Sequence, residues 1–357
     1  MEPAPERVSF PNISPEAFQH RDDVKASEVL VNTPGFGQVI RHFSGGLTEK
    51  GIRLHLLSHA IRIGPKQAPE IWKQFIKAAE ALAIEDLPEL YVTRDADRNA
   101  FAMGIKKPTI TMTSALVDSL TEIELLAVLG HELGHVKCRH MVHKTIAFTF
   151  AEYGGNELVN MIPGIGGLLT AAIYAPLFHW SRMAEISCDR AALLVVQDPE
   201  AVARVLAKFG GWAENFGPID FDGLQEQAKE YDDLDNDTMS AVLKVINKIQ
   251  SGIYLTHPLP IQRVRQILQW SQGDQYQDIL AGNYAKAEVN ATVRRCSTCG
   301  GVLNPGDKHC PACGTAQTEV VPGLPTCTKC GRPVAVPRPK FCPGCGNNFS
   351  EPGSVAD

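Results

Sequence analysis

The stretch AVLGHELGHVKCRH, residues 127–140, constrains this chain more than any other part of its sequence. His131 and His135 stand four residues apart, so a helix places both imidazoles on one face. A catalytic zinc site uses imidazole or carboxylate ligands and keeps one position open for water. Glu132 follows the first histidine, where its carboxylate can act as general base towards that water without ligating the metal. The alternative is an ordinary buried helix whose histidines are satisfied by hydrogen bonds within the core.

The residues around this motif favour a helix that begins near Thr121. Thr121 and Glu124 have the spacing of a capping box, and an apolar run follows them. Gly130 and Gly134 weaken a helix but remove side-chain bulk beside the histidines. The two glycines therefore predict that another element packs closely there.

A second pair of acidic residues can complete the site. Glu185 and Asp189 stand four residues apart and are followed by the apolar run AALLVV. Glu185 can serve as the third ligand of a His, His, Glu zinc site. Asp189 can accept the other N–H of a ligand histidine and so fix its tautomer. Cys188, between them, is predicted to be packed, because a cysteine ligand would make the site unlike a hydrolytic one.

The residues before the metal helix have a strand-like pattern. Between residues 90 and 113, the segments LYVTR, NAFAMG and TITMT are separated by turn-forming residues. An endopeptidase can hold an extended peptide through main-chain hydrogen bonds to an exposed strand edge. Asn99, Ala100 and Phe101 are candidates for such an edge. The alternative is a hairpin that only covers the core.

Eight of the ten cysteines fall in four C-x2-C pairs near the C-terminus. Each pair is followed by glycine, which allows a tight knuckle that points backbone N–H groups at sulfur. The pattern resembles a double zinc ribbon with two structural zinc ions. The first set is Cys296, Cys299, Cys310 and Cys313, and the second is Cys327, Cys330, Cys342 and Cys345. A unit this small is expected to need its metal to fold.

Charge and cysteine usage bound the partners and the compartment. Residues 294–357 hold seven Lys and Arg against four Asp and Glu, too mild a balance to indicate nucleic acid binding. A protein partner at the ribbons is favoured instead. No basic segment followed by an apolar one is present at the N-terminus, so no signal peptide is predicted. Thiolates kept for zinc fit a reducing compartment, and we expect a cytoplasmic protein.

One apolar segment provides an alternative location. Residues 158–181 contain no Asp, Glu, Lys or Arg, and their length could span a bilayer. Glycines and prolines interrupt the segment, and no cluster of basic residues flanks it. We expect it to be buried within the protein, with membrane association through this segment as the alternative.

Together these motifs resemble the HtpX-like zinc metallopeptidases of peptidase family M48, which are gluzincins. HELGH, the ExxxD with a cysteine before its aspartate, and NAF before the metal helix carry the resemblance, which covers roughly residues 70–270. It implies metal ligation by His131, His135 and Glu185. It also implies that Glu132 is the catalytic base and that the Asn99–Phe101 strand pairs with substrate.

A later segment, Thr256-His257-Pro258 with Arg263 nearby, is similar to the family's His-Pro element. The resemblance implies that His257 can donate a hydrogen bond to the tetrahedral oxyanion. The alternative is a structural residue at the entry to a helix.

The sequence therefore predicts a mainly helical α+β fold. A zincin-type metallopeptidase domain has a small β hairpin or sheet beside the HExxH helix, and a double zinc ribbon follows it. The predicted divisions are a helical lead-in at 1–67, the peptidase domain at 68–272, a linker at 273–295 and the ribbons at 296–346.

The predicted function is zinc-dependent endoproteolysis of protein or peptide substrates, in which Glu132 activates a zinc-bound water. One catalytic and two structural zinc ions are expected. The alternative is a non-proteolytic, zinc-stabilised adaptor that recruits partners through its ribbons. The glutamate between the two histidines favours the enzyme, because a structural site has no use for a base.

Overall fold

The computed structural model describes residues 7–43, 47–104, 107–153, 167–233 and 259–287, together with four short strands nearer the C-terminus. The chain divides into two compact units, Met1–Glu288 and Val289–Asp357. The side chains of His257 and of the eight ribbon cysteines lie outside the described residues, as does the part of the apolar segment at 158–166.

Helices make up most of the described part of the first unit. They are α1 (Arg21–Val31), α2 (Phe36–Phe43), α3 (Leu47–His59), α4 (Pro69–Ala81), α5 (Ser114–Asp118), α6 (Glu122–Lys137), α7 (Met141–Tyr153), α8 (Gly167–Val196), α9 (Pro199–Phe209), α10 (Phe221–Asp233), α11 (Pro260–Ser271) and α12 (Asp274–Leu280).

A four-stranded sheet lies against α6. Its strands are β1 (Ala60–Ile63), β2 (Glu89–Thr93), β3 (Ala100–Met103) and β4 (Thr109–Thr113), in the order β1-β2-β4-β3. β2 and β4 are parallel, and each outer strand is antiparallel to its neighbour. The small sheet predicted beside the metal helix is confirmed. Every residue of β4 is buried, whereas β3 forms an edge of the sheet.

The metal helix α6 begins where the sequence predicts. Thr121 is its N-cap, and the Thr121 N–H donates to the Glu124 carboxylate at 2.8 Å, as in a capping box. The apolar residues that follow are buried in the core. The cap and the apolar run together fix where the HExxH turn lies along the helix.

Two glycines allow α6 to lie closely against α8. A Cβ atom added at Gly134 would lie 2.8 Å from the Ala191 Cβ and 3.1 Å from the Cys188 Cα. One added at Gly130 would lie 3.0 Å from the Val195 Cβ. These separations are shorter than a carbon–carbon contact of about 3.5–4.0 Å. The predicted close packing is confirmed, and it places the acidic pair of α8 beside the histidines of α6.

Buried apolar side chains form two clusters. The larger joins α4, the sheet, α6, the second half of α8, α9, α11 and α12, and it includes Phe10, Ile13 and Phe18 from the N-terminal segment. The smaller joins α1, α2, α7 and the first half of α8. The N-terminal lead-in therefore contributes to both clusters.

The apolar segment at 158–181 is described only in part. Ile173, Leu177, Phe178 and Trp180 are buried in the smaller cluster. Within the described ranges, no helix has both the length and the apolarity that crossing a membrane requires.

The second unit is described only as two strand pairs. β5 (Arg294–Arg295) is antiparallel to β6 (Val302–Leu303), and β7 (Thr326–Cys327) is antiparallel to β8 (Val355–Ala356).

Candidate metal centre

His131 and His135 direct their Nε2 atoms at one carboxylate. α6 carries both histidines one turn apart, and α8 carries Glu185 opposite them. The His131 Nε2 lies 3.2 Å from Glu185 Oε2, and the His135 Nε2 lies 3.3 Å from Glu185 Oε1. Glu185 and His135 are buried, and the His131 side chain is 13% exposed. The structure thus brings together the three residues that the sequence predicts as ligands.

The spacing of these donor atoms suits a zinc ion. Zinc binds imidazole nitrogen and carboxylate oxygen at about 2.0–2.2 Å in tetrahedral sites, which puts neighbouring donors about 3.3 Å apart. The two N–O separations measured here have that value. Each separation involves a different oxygen of Glu185, so binding through one of the two oxygens gives three protein donors and leaves one tetrahedral position for water or substrate.

Cys188 is another candidate donor close to the same two histidines. Its sulfur can be grouped with nitrogen atoms of His131 and His135 that lie within 4.8 Å. However, the Cys188 Sγ contacts His140 Nδ1 at 3.8 Å, and His140 bonds to the Nδ1 of His135 rather than to its Nε2. Burial also raises the pKa of the Cys188 thiol well above its ordinary value, which opposes the thiolate form. Glu185 is therefore the better third donor.

Asp189 and Arg263 hold His131 from the opposite side of its ring. The Asp189 Oδ1 lies 3.1 Å from the His131 Nδ1, where the carboxylate can accept an N–H. Arg263 of α11 donates to Asp189 twice, from Nε at 2.7 Å and from Nη2 at 2.6 Å. Burial opposes ionisation of Asp189, but the Arg263 charge keeps the pKa of this carboxyl below its ordinary value. A bidentate pair of this kind fixes the carboxylate plane and, through it, the imidazole.

The two histidines have different proton affinities when no metal is bound. Burial lowers the pKa of His131, but the hydrogen bonds to Asp189 and Glu185 outweigh it and raise the pKa to about 9. For His135, burial and the Lys144 charge keep the pKa well below 6.5. Metals bind neutral imidazole, so the lowered pKa of His135 favours its metal-binding form, whereas a metal bound through His131 would compete with a proton.

Lys144 is a further residue of the centre, and the sequence pattern did not identify it. It lies on α7, and its Nζ donates to Glu185 Oε1 at 2.7 Å. The Arg263 Nη1 lies 3.5 Å from the other oxygen of Glu185. The positive charges of Lys144 and Arg263 therefore compensate the negative charge of the buried Glu185 carboxylate. No spacing rule connects Lys144 or Arg263 to the HExxH motif, because each reaches the site from a separate helix.

Glu132 shares this buried centre. Its side chain is 5% exposed, and within the described part of the chain its Oε2 has no hydrogen-bond partner. Burial raises the pKa of Glu132, and the charges of His131 and Lys144 partly offset this effect. A raised pKa suits a carboxylate that must accept a proton and return it near neutral pH. The buried oxygen without a partner is also consistent with a group that holds a water beside the metal position.

The predicted substrate residues lie at the start of the edge strand β3. The Asn99 carbonyl accepts a hydrogen bond from the Thr113 N–H at 2.9 Å. Bonded and outward residues alternate in an antiparallel pair, so Ala100 turns its N–H and C=O away from β4. Phe101 stacks on Phe148 of α7, with ring centroids 5.8 Å apart. β3 also contacts α6, so the strand lies beside the metal helix.

Comparison with known proteins gives two family matches. The model of peptidase family M48 matches residues 65–271, and the model of the double zinc ribbon matches residues 296–346. Plastoglobule-localized metallopeptidase 48, chloroplastic, of Arabidopsis thaliana is 33% identical over 78% of this chain and 79% of that protein. A protease HtpX homolog of Ralstonia pickettii is 26% identical over 61% of this chain and 79% of that protein.

Among solved structures, the chain is similar to S. mikatae Ste24p, with a TM-score of 0.37 and 16% sequence identity. The match covers 68% of this chain and 57% of that one. A likeness at this level supports no conclusion about the site.

These relatives correct the predicted location. The Arabidopsis relative is named as chloroplastic and plastoglobule-localized, so the prediction of a cytoplasmic protein is wrong. Its physical basis was too general, because cysteines kept as metal-binding thiolates indicate a reducing compartment but do not say which one.

Proposed function

The chain belongs to peptidase family M48, and from that premise we propose which of its residues carry out zinc-dependent proteolysis. Family membership makes the protein a zinc metallopeptidase that acts on protein or peptide substrates. Nothing in the comparisons favours the non-proteolytic adaptor. In our proposal His131, His135 and Glu185 hold the catalytic zinc, and Glu132 is the base.

One observation carries this assignment. The Nε2 atoms of both histidines lie 3.2 and 3.3 Å from the two oxygens of one buried carboxylate, which is the spacing of donors around a tetrahedral zinc ion. The unpartnered oxygen of the buried Glu132 supports its assignment as the base within the described residues.

Each protein group has a separate task in the reaction. When bound, the zinc ion supplies a Lewis acid that makes a water more acidic and polarises the scissile carbonyl. Glu132 accepts a proton from the attacking water and then passes it to the leaving amine. Asp189, oriented by Arg263, keeps the hydrogen of His131 on Nδ1, so that Nε2 faces Glu185. Lys144 compensates the charge of Glu185.

We propose that an extended peptide adds to the outer edge of β3, with Ala100 supplying main-chain bonds and Asn99 and Phe101 flanking it. The edge position of the strand and its contact with α6 support this proposal. For His257 we propose hydrogen-bond donation to the oxyanion. The support for this role is the position of His257 in the His-Pro segment before Arg263.

We further propose three zinc ions in each chain, one catalytic and two structural. Two sets of four cysteines within the ribbon match support the structural pair, because four thiolates fill a tetrahedral zinc site completely. The mild charge of the C-terminal residues favours a protein partner at the ribbons over nucleic acid.

The zinc content of two full-length variants tests the ligand assignment. With Glu185→Gln we expect the loss of one of three zinc equivalents at a free-zinc concentration that just saturates the wild type, because a neutral amide is a poor zinc ligand. With Cys188→Ala we expect all three equivalents to remain. Thermal unfolding of both variants establishes that they are folded at the assay temperature. If Cys188→Ala lost the zinc and Glu185→Gln kept it, the cysteine would be the ligand and the assignment would be overturned.

A further inference from the structure

Buried hydrogen bonds connect His135 to the N-terminal helix α1. The His135 Nδ1 lies 3.1 Å from the His140 Nδ1, and the His140 Nε2 lies 3.0 Å from Asp23 Oδ2. All three side chains are buried. His135 is on α6, His140 directly precedes α7, and Asp23 is on α1, so three elements meet behind the metal ligand.

Asp23 is held as a hydrogen-bond acceptor. Its Oδ2 also accepts from Ser187 Oγ at 2.7 Å and from Gln19 Nε2 at 2.9 Å. Burial opposes ionisation, but the hydrogen bonds from His140, Ser187 and Gln19 lower the pKa of Asp23 below its ordinary value. An ionised carboxylate can only accept, so the His140 Nε2 must carry a hydrogen.

The remaining hydrogen positions follow from this one. A neutral imidazole has a single N–H, so a neutral His140 with its hydrogen on Nε2 has a bare Nδ1 that accepts. The hydrogen between the two rings must then belong to the Nδ1 of His135. That leaves the Nε2 of His135 without a hydrogen, and this is the atom that faces Glu185. If His140 carried its hydrogen on Nδ1, a neutral His135 would have to carry its own on Nε2, where it would block a metal.

We propose that Asp23 and His140 are positioning residues of the metal centre, which hold His135 in the tautomer whose Nε2 is bare. The inference rests on the proposed function, in which His135 binds zinc through that atom. A carboxylate then supports each histidine on the side away from the metal position. Asp189 contacts His131 directly, and Asp23 acts on His135 through His140. The predicted lead-in thereby supplies part of the catalytic apparatus.

The packing around His140 supports a fixed ring orientation. The Trp180 ring meets the His140 ring edge-on, with centroids 5.5 Å apart. The Cys188 Sγ lies 3.8 Å from its Nδ1 on the side of α8. A ring held from two sides keeps its Nε2 directed at Asp23 and its Nδ1 directed at His135.

Nitrogen NMR of the zinc-loaded, full-length wild type tests the proposal without a substitution. In protein with 15N-labelled histidine, we expect His140 to be neutral with its hydrogen on Nε2, and His135 to carry its hydrogen on Nδ1. A charged His140, or a His140 with its hydrogen on Nδ1, would overturn the inference while leaving the metal site in place. If the ring nitrogens of His135 did not respond to zinc at all, the proposed metal site would fail and the inference with it.

A pair of variants tests the consequence for metal affinity. Asp23→Asn removes the charge at nearly constant size, and Asp22→Asn is the matched control, since the Asp22 side chain is 45% exposed on the same helix. Partners behind a metal ligand typically contribute about 10–100-fold to metal affinity, so Asp23→Asn should bind the catalytic zinc at least about 10-fold more weakly than Asp22→Asn. Chelator competition on folded protein measures this ratio, and equal affinities would contradict the proposal. Should Asp23→Asn fail to fold, the NMR result on the wild type decides.

Discussion

Replacing Gly134 by alanine should damage the metal centre although it alters no ligand. Gly134 lies on α6 between the two histidines proposed as ligands, where α6 packs closely against α8. The new Cβ would lie 2.8 Å from the Ala191 Cβ and 3.1 Å from the Cys188 Cα. One of these neighbours is backbone, and the other is a Cβ fixed to it, so neither can turn aside. The two helices must separate to admit the methyl group.

Two opposing effects set the size of the change. Alanine is favoured over glycine within a helix by about 1 kcal/mol. Overpacking a tight core contact costs about 1–3 kcal/mol. The free energy of unfolding should therefore fall by up to about 2 kcal/mol. Metal–ligand distances tolerate changes of only about 0.2 Å. Even a small separation of α6 from α8 should therefore also weaken zinc binding by His131, His135 and Glu185.

Denaturant unfolding and zinc content at limiting metal measure the two effects. Gly51→Ala is the matched control, because Gly51 lies in α3 and a Cβ there meets nothing within 4 Å. The control should gain about 0.5–1 kcal/mol and keep its zinc. If Gly134→Ala were stabilised as much as Gly51→Ala and held zinc equally well, the close helix contact would not be what assembles the site.

Three further predictions concern the substrate strand, an ion pair and the ribbons. Ala100→Pro removes the outward N–H of β3 without breaking a hydrogen bond to β4. KM for an extended peptide should therefore rise about 2- to 10-fold, which corresponds to one lost hydrogen bond. An unchanged KM would exclude that N–H as a substrate contact. Burial opposes ionisation of Glu124, but the hydrogen bonds from Lys208 and Thr121 lower its pKa below 4.5. The ionised Glu124 therefore stabilises the fold above pH 4.5, and this stabilisation is lost as the pH falls through the lowered pKa. In a pH series of unfolding curves, Glu124→Gln should lose less stability than the wild type at acid pH. Near neutral pH it should reduce the free energy of unfolding by as much as about 3 kcal/mol, because Lys208 is buried beside it. An unchanged loss of stability at acid pH would contradict this. A chain that ends at Glu288 keeps the bridge between Ile13 and Lys286, so it should hold one zinc and cleave a small peptide at close to the full-length rate; a large change in turnover would show that the ribbons take part in the reaction.

Local signals of the sequence predicted the parts of the fold that depend on short-range chemistry. The cap at Thr121, the HExxH spacing and the two glycines that admit α8 all act within a few residues, and each is present in the structure. The three strand segments were also recognisable from their strand-like composition and the turn-forming residues between them. Their order was not, because it depends on β4 being the strand that is buried throughout and so taking the central position beside β2.

The contacts behind the proposed metal ligands were harder to predict because they join distant parts of the chain. His140 stood within the motif stretch, but nothing in its spacing linked it to Asp23. Lys144 belongs to a mainly apolar helix and Arg263 to an amphipathic one, and only the packed structure places their charges on Glu185 and Asp189. Spacing rules identify groups on one helix face, whereas the partners of buried charges are set by packing between helices.

Hydrolysis by Glu132→Gln tests the central assignment most directly. The substitution keeps the size of the side chain but removes its ability to accept a proton, and general bases typically contribute about 10²–10⁴-fold to rate. Glu122→Gln is the matched control, because the Glu122 side chain is 77% exposed on the same helix. We expect Glu132→Gln to fold, to keep as much zinc as the control, and to cleave an unfolded protein substrate at least about 100-fold more slowly. Cleavage by Glu132→Gln at the rate of the control, with zinc retained, would contradict the assignment of Glu132 as the base.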